Sequence, residues 1–360
     1  MKISFFMPKL DIGGIERVFI TYANELDKRG YDIDFVLCVS GGTLQPLLNK
    51  KIKVFNLGNI KLRKALFPLR NYLKKEKPIF LFTGSNLQNL ISIIAGYKLK
   101  TKIVISQHNY FDIDTQQTKW AFVEQKAMRI IYPHADCIIA ISKGIKEYLI
   151  NSIKIKENKI TYLPNPIDIE ATKNQAKQYL PEKLPNKYIV FIGRLSPVKN
   201  LKLLIHAFDC SNINDTHLLI VGDGIDKENI EHEVENIKKK DKVIFVGKKS
   251  NPLPYLANAS CLVLCSYSEA MPAILLESMA LNIPIIATPT KGAIELIANT
   301  NGNYIGKSFD DIYEYKELIE KIYNNKNVYF NDIINTYSSN YIVDKLENIF
   351  KRYNSHENCN

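Results

Sequence analysis

Residues 188–200 read YIVFIGRLSPVKN, and this stretch decides the fold class. Its first five residues are apolar throughout, which is typical of a strand in a parallel sheet that is covered on both faces. A glycine and two basic residues follow, and apolar residues at helical spacing begin at Leu201. A buried strand that leads through a short loop into a helix is the repeating unit of an α/β protein.

The same alternation of a short β-branched or aromatic run with a helical pattern recurs along the chain. The predicted strands are 2–7, 31–39, 52–57, 79–83, 102–106, 136–141, 159–163, 187–192, 216–221, 242–246, 260–265 and 284–287. Helices are predicted near 16–28, 142–151, 200–208, 226–239, 272–282, 292–299 and 309–324. The pattern predicts two doubly wound sheets in tandem. Because ligands of such sheets bind beyond the carboxyl ends of the strands, a cleft between the halves is the predicted site.

Pro164-Asn165-Pro166 interrupts both helix and ladder, so the link between the two halves is predicted there. We expect an N-terminal domain over 1–165 and a C-terminal domain over 166–335. Residues 336–360 are expected to form a terminal helix that packs back on the N-terminal domain and ends in a disordered tail.

The chain has 360 residues and a net charge of +11, and its first half carries the excess. Residues 1–165 contain 26 lysines and arginines against 13 acidic residues, whereas residues 166–360 contain 22 against 24. A basic half suits nucleic acid, an anionic membrane surface or a phosphorylated substrate, and charge alone does not choose among them. No run reaches the ~18 apolar residues of a membrane span. The six cysteines form no C-x-x-C pair, which indicates reduced thiols.

Two loops follow predicted strands and could bind an anion. Gly13 and Gly14 open a helix, where the backbone can approach a phosphate, although a tight structural turn is the alternative and the G-x-G-x-x-G pattern is absent. Arg194 and Lys199 follow the strand 187–192. An arginine fork and a lysine point charge together match a diphosphate.

A third candidate is the stretch 268–277, which reads SEAMPAILLE. Pro272 suits the first position of a helix, so the free N–H groups of that helix are predicted to lie beside Glu269. Glu277 lies about a turn and a half into the same helix. Carboxylates are suited to the hydroxyl groups of a sugar or a ribose.

Four blocks appear in order: Gly-Gly-Ile-Glu-Arg at 13–17, Gly-Arg-Leu-x-x-x-Lys-Asn at 193–200, Gly-Asp-Gly at 222–224, and two glutamates at 269 and 277. Together they resemble the family 4 retaining glycosyltransferases of the GT-B fold, of the bacterial lipopolysaccharide and polysaccharide type. The resemblance covers nearly the whole chain. It implies an α/β protein of two doubly wound, Rossmann-like domains that face each other across a cleft. It further implies an N-terminal acceptor-binding domain over 1–165 and a C-terminal nucleotide-sugar-binding domain over 166–335.

The resemblance also implies residue roles. Arg194 and Lys199 correspond to the clamp on the donor diphosphate. Glu277 corresponds to the carboxylate on the donor ribose, and Glu269 to the carboxylate near the transferred sugar. Further implied donor contacts are the backbone of Met271, Pro272 and Ala273, the loop Gly13-Gly14, and the turn Gly247-Lys248 around the base.

His108, in the polar run Ser106-Gln107-His108-Asn109, corresponds to an N-domain histidine near the sugar and the acceptor. Whether it acts as a base or only positions substrate stays open. The family usually has glycine after the first glutamate, whereas Ala270 stands here, which leaves the donor sugar open. The Gly-Asp-Gly block is mainly structural in the family.

Two further features have competing interpretations. Residues 61–77 form a basic amphipathic stretch that could lie on an anionic membrane or be an ordinary surface helix. Its basic residues are Lys61, Arg63, Lys64, Arg70, Lys74, Lys75 and Lys77. The triplets Asp112-Ile113-Asp114 and Asp32-Ile33-Asp34 resemble a D-x-D metal motif, but such triplets are common by chance, and no metal is predicted.

We therefore expect a retaining, metal-independent hexosyltransferase. It would move a hexose or N-acetylhexosamine from a nucleotide sugar to a membrane-associated glycan in lipopolysaccharide, O-antigen, capsule or lipid-linked oligosaccharide synthesis. A UDP-sugar is expected as the donor in preference to GDP-mannose. Glu269, His108, Arg194 and Lys199 would carry catalysis without a cofactor. The predicted location is cytoplasmic, with reversible binding to the anionic inner face of the cytoplasmic membrane. The alternatives are an epimerase-like enzyme acting on UDP-N-acetylglucosamine and a basic, non-catalytic polyanion binder, although no nucleic-acid motif accompanies the charge.

Overall fold

The computed structural model describes residues 1–110, 119–180, 183–323, 328 and 330–355, with 119–122, 331, 354 and 355 described by their backbone alone. The described strands are β1 Lys2–Met7, β2 Asp32–Leu37, β3 Lys53–Asn56, β4 Phe80–Thr83, β5 Lys102–Gln107, β6 Cys137–Ala140, β7 Ile160–Tyr162, β8 Tyr188–Ile192, β9 His217–Val221, β10 Val243–Gly247, β11 Cys261–Leu264, β12 Ile285–Ala287 and β13 Tyr304–Ile305.

Helices connect these strands on both sides. They are α1 Gly14–Lys28, α2 Leu66–Glu76, α3 Asn86–Gly96, α4 Lys119–Ile131, α5 Lys143–Asn151, α6 Ile169–Ala176, α7 Leu201–Cys210, α8 Lys227–Glu235, α9 Leu253–Ala257, α10 Ala273–Ala280, α11 Lys291–Ile297, α12 Ile312–Tyr323, α13 Asn331–Asn335 and α14 Ser339–Ser355. No helix in the described ranges is both long and apolar enough to cross a membrane.

The chain divides into two compact units. Unit 1 comprises residues 1–167 and 337–360, and unit 2 comprises residues 168–336. Helix α14 follows unit 2 along the chain but packs on unit 1. Arg29, just after α1, donates to the carboxylates of Asp344 at 2.7 Å and Glu347 at 3.0 Å. The ring of Phe350 lies 4.5 Å from that of Phe80 on β4. The predicted disordered tail falls partly at 356–360, outside the described residues.

Each unit is built around one parallel sheet. In unit 1 the strand order is β3-β2-β1-β4-β5-β6-β7, and in unit 2 it is β10-β9-β8-β11-β12-β13. Every described pairing in both sheets is parallel. The order reverses once in each sheet, between β1 and β4 and between β8 and β11. A crevice opens at such a reversal, beyond the carboxyl ends of the two strands, and it is where doubly wound sheets bind ligands.

Apolar side chains explain why these strands form. In unit 1, Phe5 on β1 stacks 5.3 Å from Phe35 on β2 and contacts Phe82 on β4 and Phe19 on α1 at 5.3 and 5.5 Å. In unit 2 all five residues of β8 are buried, as the continuous apolar run predicts. The sequence therefore predicts the sheets well, because burial on both faces leaves a pattern that can be read directly.

Several local features differ from the predictions. Helices α3, α4, α6, α9 and α13 were not among the predicted elements. The two-residue strand β13 was not predicted, because it is too short to show a period. Pro272 was predicted as the first helical residue, but the prediction is wrong by one position. Its backbone is extended, with φ −70° and ψ 116°, so it is the N-cap and α10 begins at Ala273.

Candidate active site

The crevice of unit 2 brings together residues that are far apart in sequence. Arg194 and Lys199 lie on the loop after β8, and Glu269 lies on the loop after β11. The two loops are bonded to each other, since Tyr267 N donates to Val198 O at 2.8 Å and Cys265 Sγ donates to Lys199 O at 3.2 Å. The strand order thus places three of the four predicted catalytic side chains at one edge of one sheet.

Lys199 and Glu269 form an ion pair there. Lys199 Nζ lies 2.5 Å from Glu269 Oε1, and Ser266 Oγ donates to the same oxygen at 2.7 Å. The two side chains keep 21% and 12% of their exposure, so the pair is partly covered but accessible to a ligand. Arg194 is exposed and forms no ion pair with any described residue. One cation is therefore held in place and the other is unconstrained.

Asn200 fixes where Lys199 points. Its backbone is left-handed, with φ 49°, a conformation that asparagine adopts more readily than most residues. Its side-chain amide donates to Phe309 O at 2.8 Å, which ties the end of the loop to another part of unit 2. The Lys-Asn pair in the sequence is thus one cation followed by the residue that turns the chain into α7.

The Gly-Asp-Gly block packs against the backbone of the loop that carries Arg194. Gly222 and Gly224 are so close to the carbonyl oxygens of Gly193 and Leu195 that a Cβ atom at either position would overlap them. Leu195 N donates to Asp223 O at 3.0 Å, and Gly222 N donates to the carbonyl of Gly247 at 3.0 Å. The block is structural, as the resemblance implied. It packs the loops after β8, β9 and β10 into one surface.

Gly292 is a site residue that the sequence did not reveal. A Cβ atom at this position would lie 2.7 Å from the carbonyl oxygen of Ala270 and 2.8 Å from that of Glu269. Gly292 N donates to Glu269 O at 3.0 Å. Helix α11 can therefore approach the Glu269 loop only because residue 292 has no side chain. Ala270, where the family usually has glycine, is buried by this contact.

The remaining predicted donor contacts of unit 2 lie on the same side. Met271 and Pro272 are buried and lead into α10, whose first residue is Ala273. Glu277 lies on α10, is half-buried, and is engaged in an interaction. The turn Gly247-Lys248 ends β10, with Gly247 in the left-handed region at φ 78° and Lys248 exposed.

In unit 1, Gly13 and Gly14 lie at the start of α1, after β1. Gly13 is the extended N-cap residue, and the carboxylate of Glu16 folds back against it. An acidic side chain in the first turn stabilises the positive end of the helix dipole. The turn therefore has a structural role of its own, whether or not a phosphate also approaches it.

His108, just after β5, is buried with 8% exposure. Its Nε2 atom lies 2.8 Å from Ser106 Oγ, and that hydroxyl donates to Thr83 O at 3.2 Å. A neutral imidazole has one donor nitrogen and one acceptor nitrogen. Burial lowers the pKa of His108 to about 3. The imidazole is neutral at physiological pH and suited to accept a hydrogen bond.

The basic stretch 61–77 lies on unit 1, and its basic side chains have different environments. Lys61, Arg63, Lys64, Lys74, Lys75 and Lys77 are exposed. Arg70 instead donates to Ala95 O at 2.7 Å and Tyr97 O at 2.9 Å, so it satisfies carbonyls at the C-terminal end of α3. The buried face of α2 consists of Leu69, Tyr72 and Leu73.

The acidic triplet 32–34 takes part in ion pairs and a hydrogen bond with neighbouring side chains. Asp34 is fully buried and accepts from Tyr72 OH at 2.6 Å and pairs with Lys2 at 2.8 Å. Asp32 lies 3.6 Å from Lys53 Nζ on the neighbouring strand. The triplet 112–114 lies outside the described residues. Within the described part of the chain, no group of three metal-ligating side chains converges.

Comparison with known proteins decides the family. The sequence pattern of Glycosyltransferase Family 4 matches residues 12–171, and that of Glycosyl transferases group 1 matches residues 172–338. Together the two patterns cover both units almost completely. The chain belongs to the family 4 glycosyltransferases. Its two parallel sheets with the same strand order are the GT-B fold.

Relatives of this glycosyltransferase share its full length. It is 28% identical over 91% of its chain to an alpha-1,4-N-acetyl-D-galactosaminyltransferase of Campylobacter jejuni, of which it covers 90%, and that protein is named for a GalNAc-containing glycan on PP-undecaprenol. It is 24% identical to the UDP-Gal:alpha-D-GlcNAc-diphosphoundecaprenol alpha-1,3-galactosyltransferase of Escherichia coli, with 94% of both chains covered. The Anabaena protein HepE, solved with UDP and glucose, superposes with a TM-score of 0.78 at 17% identity, covering 98% and 99% of the two chains.

Proposed function

We propose that this glycosyltransferase moves a hexose or an N-acetylhexosamine from a UDP-sugar to a lipid-linked glycan, with retention of anomeric configuration and without a metal ion. The observation that carries the proposal is the Lys199–Glu269 pair beside the unpaired Arg194 at the crevice of unit 2. A diphosphate leaving group needs fixed positive charge where its negative charge develops. The loop after β8 supplies two cations at that point.

Lys199 can serve two partners at once. An ammonium group has three donors, so it can keep its bond to Glu269 while it contacts a diphosphate oxygen. Arg194 would add a planar fork, and the first N–H groups of α10 would add the positive end of a helix. These groups do the work that a D-x-D aspartate pair and a divalent ion would do elsewhere, which is why we propose metal-independent transfer.

Glu269 has one oxygen bound by Lys199 and Ser266, and its Oε2 has no partner among the described residues. We assign this oxygen to the transferred sugar, either to a hydroxyl or to the positive charge that grows at the anomeric carbon. The bond from that carbon to the diphosphate oxygen breaks on the face where the acceptor oxygen attacks. The departing diphosphate then takes the acceptor proton. Glu277 would bind the ribose.

UDP as the nucleotide is supported by the relatives. The Escherichia coli relative is named for UDP-Gal, and HepE was solved with UDP. A lipid-diphosphate acceptor is supported by the names of the Escherichia coli and Campylobacter jejuni proteins. His108, as a neutral acceptor on unit 1, is suited to bind a substrate hydroxyl, and we assign it to positioning and not to proton transfer.

Such an acceptor would require the enzyme to work at a membrane surface. Besides the exposed lysines of 61–77, unit 1 carries large apolar side chains in water: Phe67 on α2 is 74% exposed, and Ile94 and Tyr97 at the end of α3 are 44% and 60% exposed. Helices α2 and α3 pack together, and Arg70 joins them next to Tyr97. Apolar side chains among basic ones suit the boundary of an anionic bilayer. We propose reversible binding to the inner face of the cytoplasmic membrane.

A thermal-shift series with UDP, GDP and ADP in the presence of EDTA tests the proposal, followed by donor-sugar screening for UDP release. We expect stabilisation by UDP above the other two nucleotides, and UDP release that depends on acceptor. Turnover of UDP-N-acetylglucosamine to its epimer without acceptor would favour the epimerase instead. Stabilisation by polyanions but by no nucleotide diphosphate would favour a non-catalytic binder.

A further inference from the structure

Unit 1 contains a polar cavity of about 250 Å³ beyond the carboxyl ends of β4 and β5. It is lined by Gly84, Ser85, Asn86, Leu87, His108, Asn109 and Glu124. These residues come from the loop after β4, the start of α3, the loop after β5, and α4. The cavity is below the ~300 to 1,000 Å³ of pockets for drug-sized ligands. It therefore suits a part of a substrate, such as one sugar ring, and not a whole nucleotide sugar.

Beneath the cavity a chain of hydrogen bonds runs in one direction. Asn89 Nδ2 donates to Tyr132 OH at 3.1 Å, and Tyr132 OH donates to Gln107 Oε1 at 3.1 Å. Gln107 Nε2 then donates to Asn86 Oδ1 at 3.0 Å. Asn89 and Tyr132 are fully buried, and Gln107 is 1% exposed. Buried networks of this kind are rigid when every link is satisfied.

The chain ends at Asn86, which lines the cavity together with Glu124. Burial raises the pKa of Glu124 above its usual value, and the nearby amide of Asn86 opposes that shift. A half-buried carboxylate on the wall of a cavity keeps acceptor capacity for a ligand.

We propose that Glu124 is a specificity-determining residue for the acceptor, and that its carboxylate accepts a hydrogen bond from a hydroxyl of the acceptor's terminal sugar in this cavity. The inference rests on the proposed function, since it requires a sugar acceptor. The neutral imidazole of His108 lines the same cavity. The lining residues that the structure describes include a carboxylate and an imidazole but no lysine or arginine, which favours neutral, hydroxyl-rich ligands over phosphates. Gln107 is the positioning residue that orients Asn86 toward Glu124.

The test is binding of four methyl α-glycosides, of galactose, N-acetylgalactosamine, glucose and N-acetylglucosamine, to the full chain saturated with UDP, measured by saturation-transfer NMR. We expect at least one glycoside to bind. Glu124→Gln should weaken that binding by about 10- to 100-fold, because a charge-assisted hydrogen bond is lost. Gln107→Leu should weaken it by less. Glu157→Gln is the matched control, since Glu157 is an exposed carboxylate of the same unit that pairs with Lys146 on α5.

UDP affinity separates this inference from the proposed function. Glu124→Gln should bind UDP as tightly as the wild type, while transfer to a synthetic N-acetylgalactosamine on a short polyprenyl diphosphate falls. A wild type that does not bind UDP contradicts the proposed function. A wild type that binds UDP but no glycoside, or a Glu124→Gln variant that binds glycosides normally or loses UDP affinity as well, overturns the role of Glu124.

Discussion

The two sheets have the same strand order around their switch points, yet they present different chemistry at the carboxyl ends of their strands. The crevice of unit 2 is charged, with Lys199 paired to Glu269 and the exposed Arg194 on the same loop as Lys199. The cavity of unit 1, beyond β4 and β5, is lined by a neutral imidazole, side-chain amides and one half-buried carboxylate. One fold thus supplies two positions for ligands, and the side chains on the loops decide what each position binds.

The contrast follows the chemistry that each crevice would face. A leaving diphosphate gains negative charge as its bond to the sugar breaks, so fixed cations stabilise it most in the transition state. A hydroxyl group carries no charge and is recognised by acceptors whose orientation is fixed by their own partners. Ligand affinity at the charged site should therefore fall strongly when a single charge is removed. Ligand affinity at the neutral site should fall mainly when the hydrogen-bond acceptors lose their fixed orientation.

The largest expected effect is at the charged crevice. Lys199→Ala should weaken UDP binding by about 3 kcal/mol, because it removes a charge-assisted contact and leaves Glu269 without its cation, and Arg194→Ala by about 1.5 kcal/mol. Isothermal titration with UDP measures both. Lys202→Ala is the control, since Lys202 is an exposed lysine on α7 that pairs with Glu233. Unchanged UDP affinity in both site variants would remove the diphosphate assignment.

The two glutamates of unit 2 should separate in kinetics. Glu269→Gln should raise the activation free energy of turnover by about 2 kcal/mol and so lower kcat, because its proposed contact is at the reacting sugar. The donor KM should change little. Glu277→Gln should raise donor KM through the ribose and leave kcat nearly unchanged. Steady-state rates over a range of UDP-sugar concentrations give both constants. Equal effects on KM alone would show that the two roles are mapped wrongly.

His108 sharpens the comparison through acid stability. Because burial lowers its pKa from 6.5 to about 3, the unfolded chain binds a proton below pH 6.5 that the folded chain does not. The free energy of unfolding should thus fall as the pH drops from 6.5 toward 3, by at most about 1.4 kcal/mol per unit from this group. Between pH 6.5 and 5, the free energy of unfolding of His108→Asn, measured with urea, should fall by about 2 kcal/mol less than that of the wild type. A parallel loss in both proteins would mean that His108 is protonated in the fold.

The smallest effect per residue is expected at the membrane. Each basic residue near an anionic surface contributes about 1 kcal/mol at best, and salt screens it. Reversal of Lys61, Lys64, Lys74 and Lys75 to glutamate should reduce co-sedimentation with anionic vesicles and leave activity on a short soluble acceptor intact. Wild-type protein that ignores such vesicles at low salt would leave 61–77 as an ordinary surface helix.

Much of the fold was predictable because strands that are buried on both faces of a sheet need continuous apolar runs, as in β8. The charged site was predictable in its residues but not in its contacts. Lys199 and Glu269 are 70 positions apart, and nothing in either block indicates that they pair with each other. Gly292 and Glu124 had no local signal, because their roles come from elements that meet only in the fold. Arg70 looked like its basic neighbours until the structure showed its bonds to the end of α3.

The central claim is that unit 2 binds a nucleotide diphosphate through Lys199 and Arg194 without a metal ion. Isothermal titration of the wild type and the double variant Lys199→Ala/Arg194→Ala with UDP, in buffer containing EDTA, tests it most directly. We predict binding by the wild type that is unchanged when magnesium or manganese replaces EDTA, and no measurable binding by a double variant that stays folded. UDP binding that requires the divalent ion, or that survives in the double variant, would contradict it.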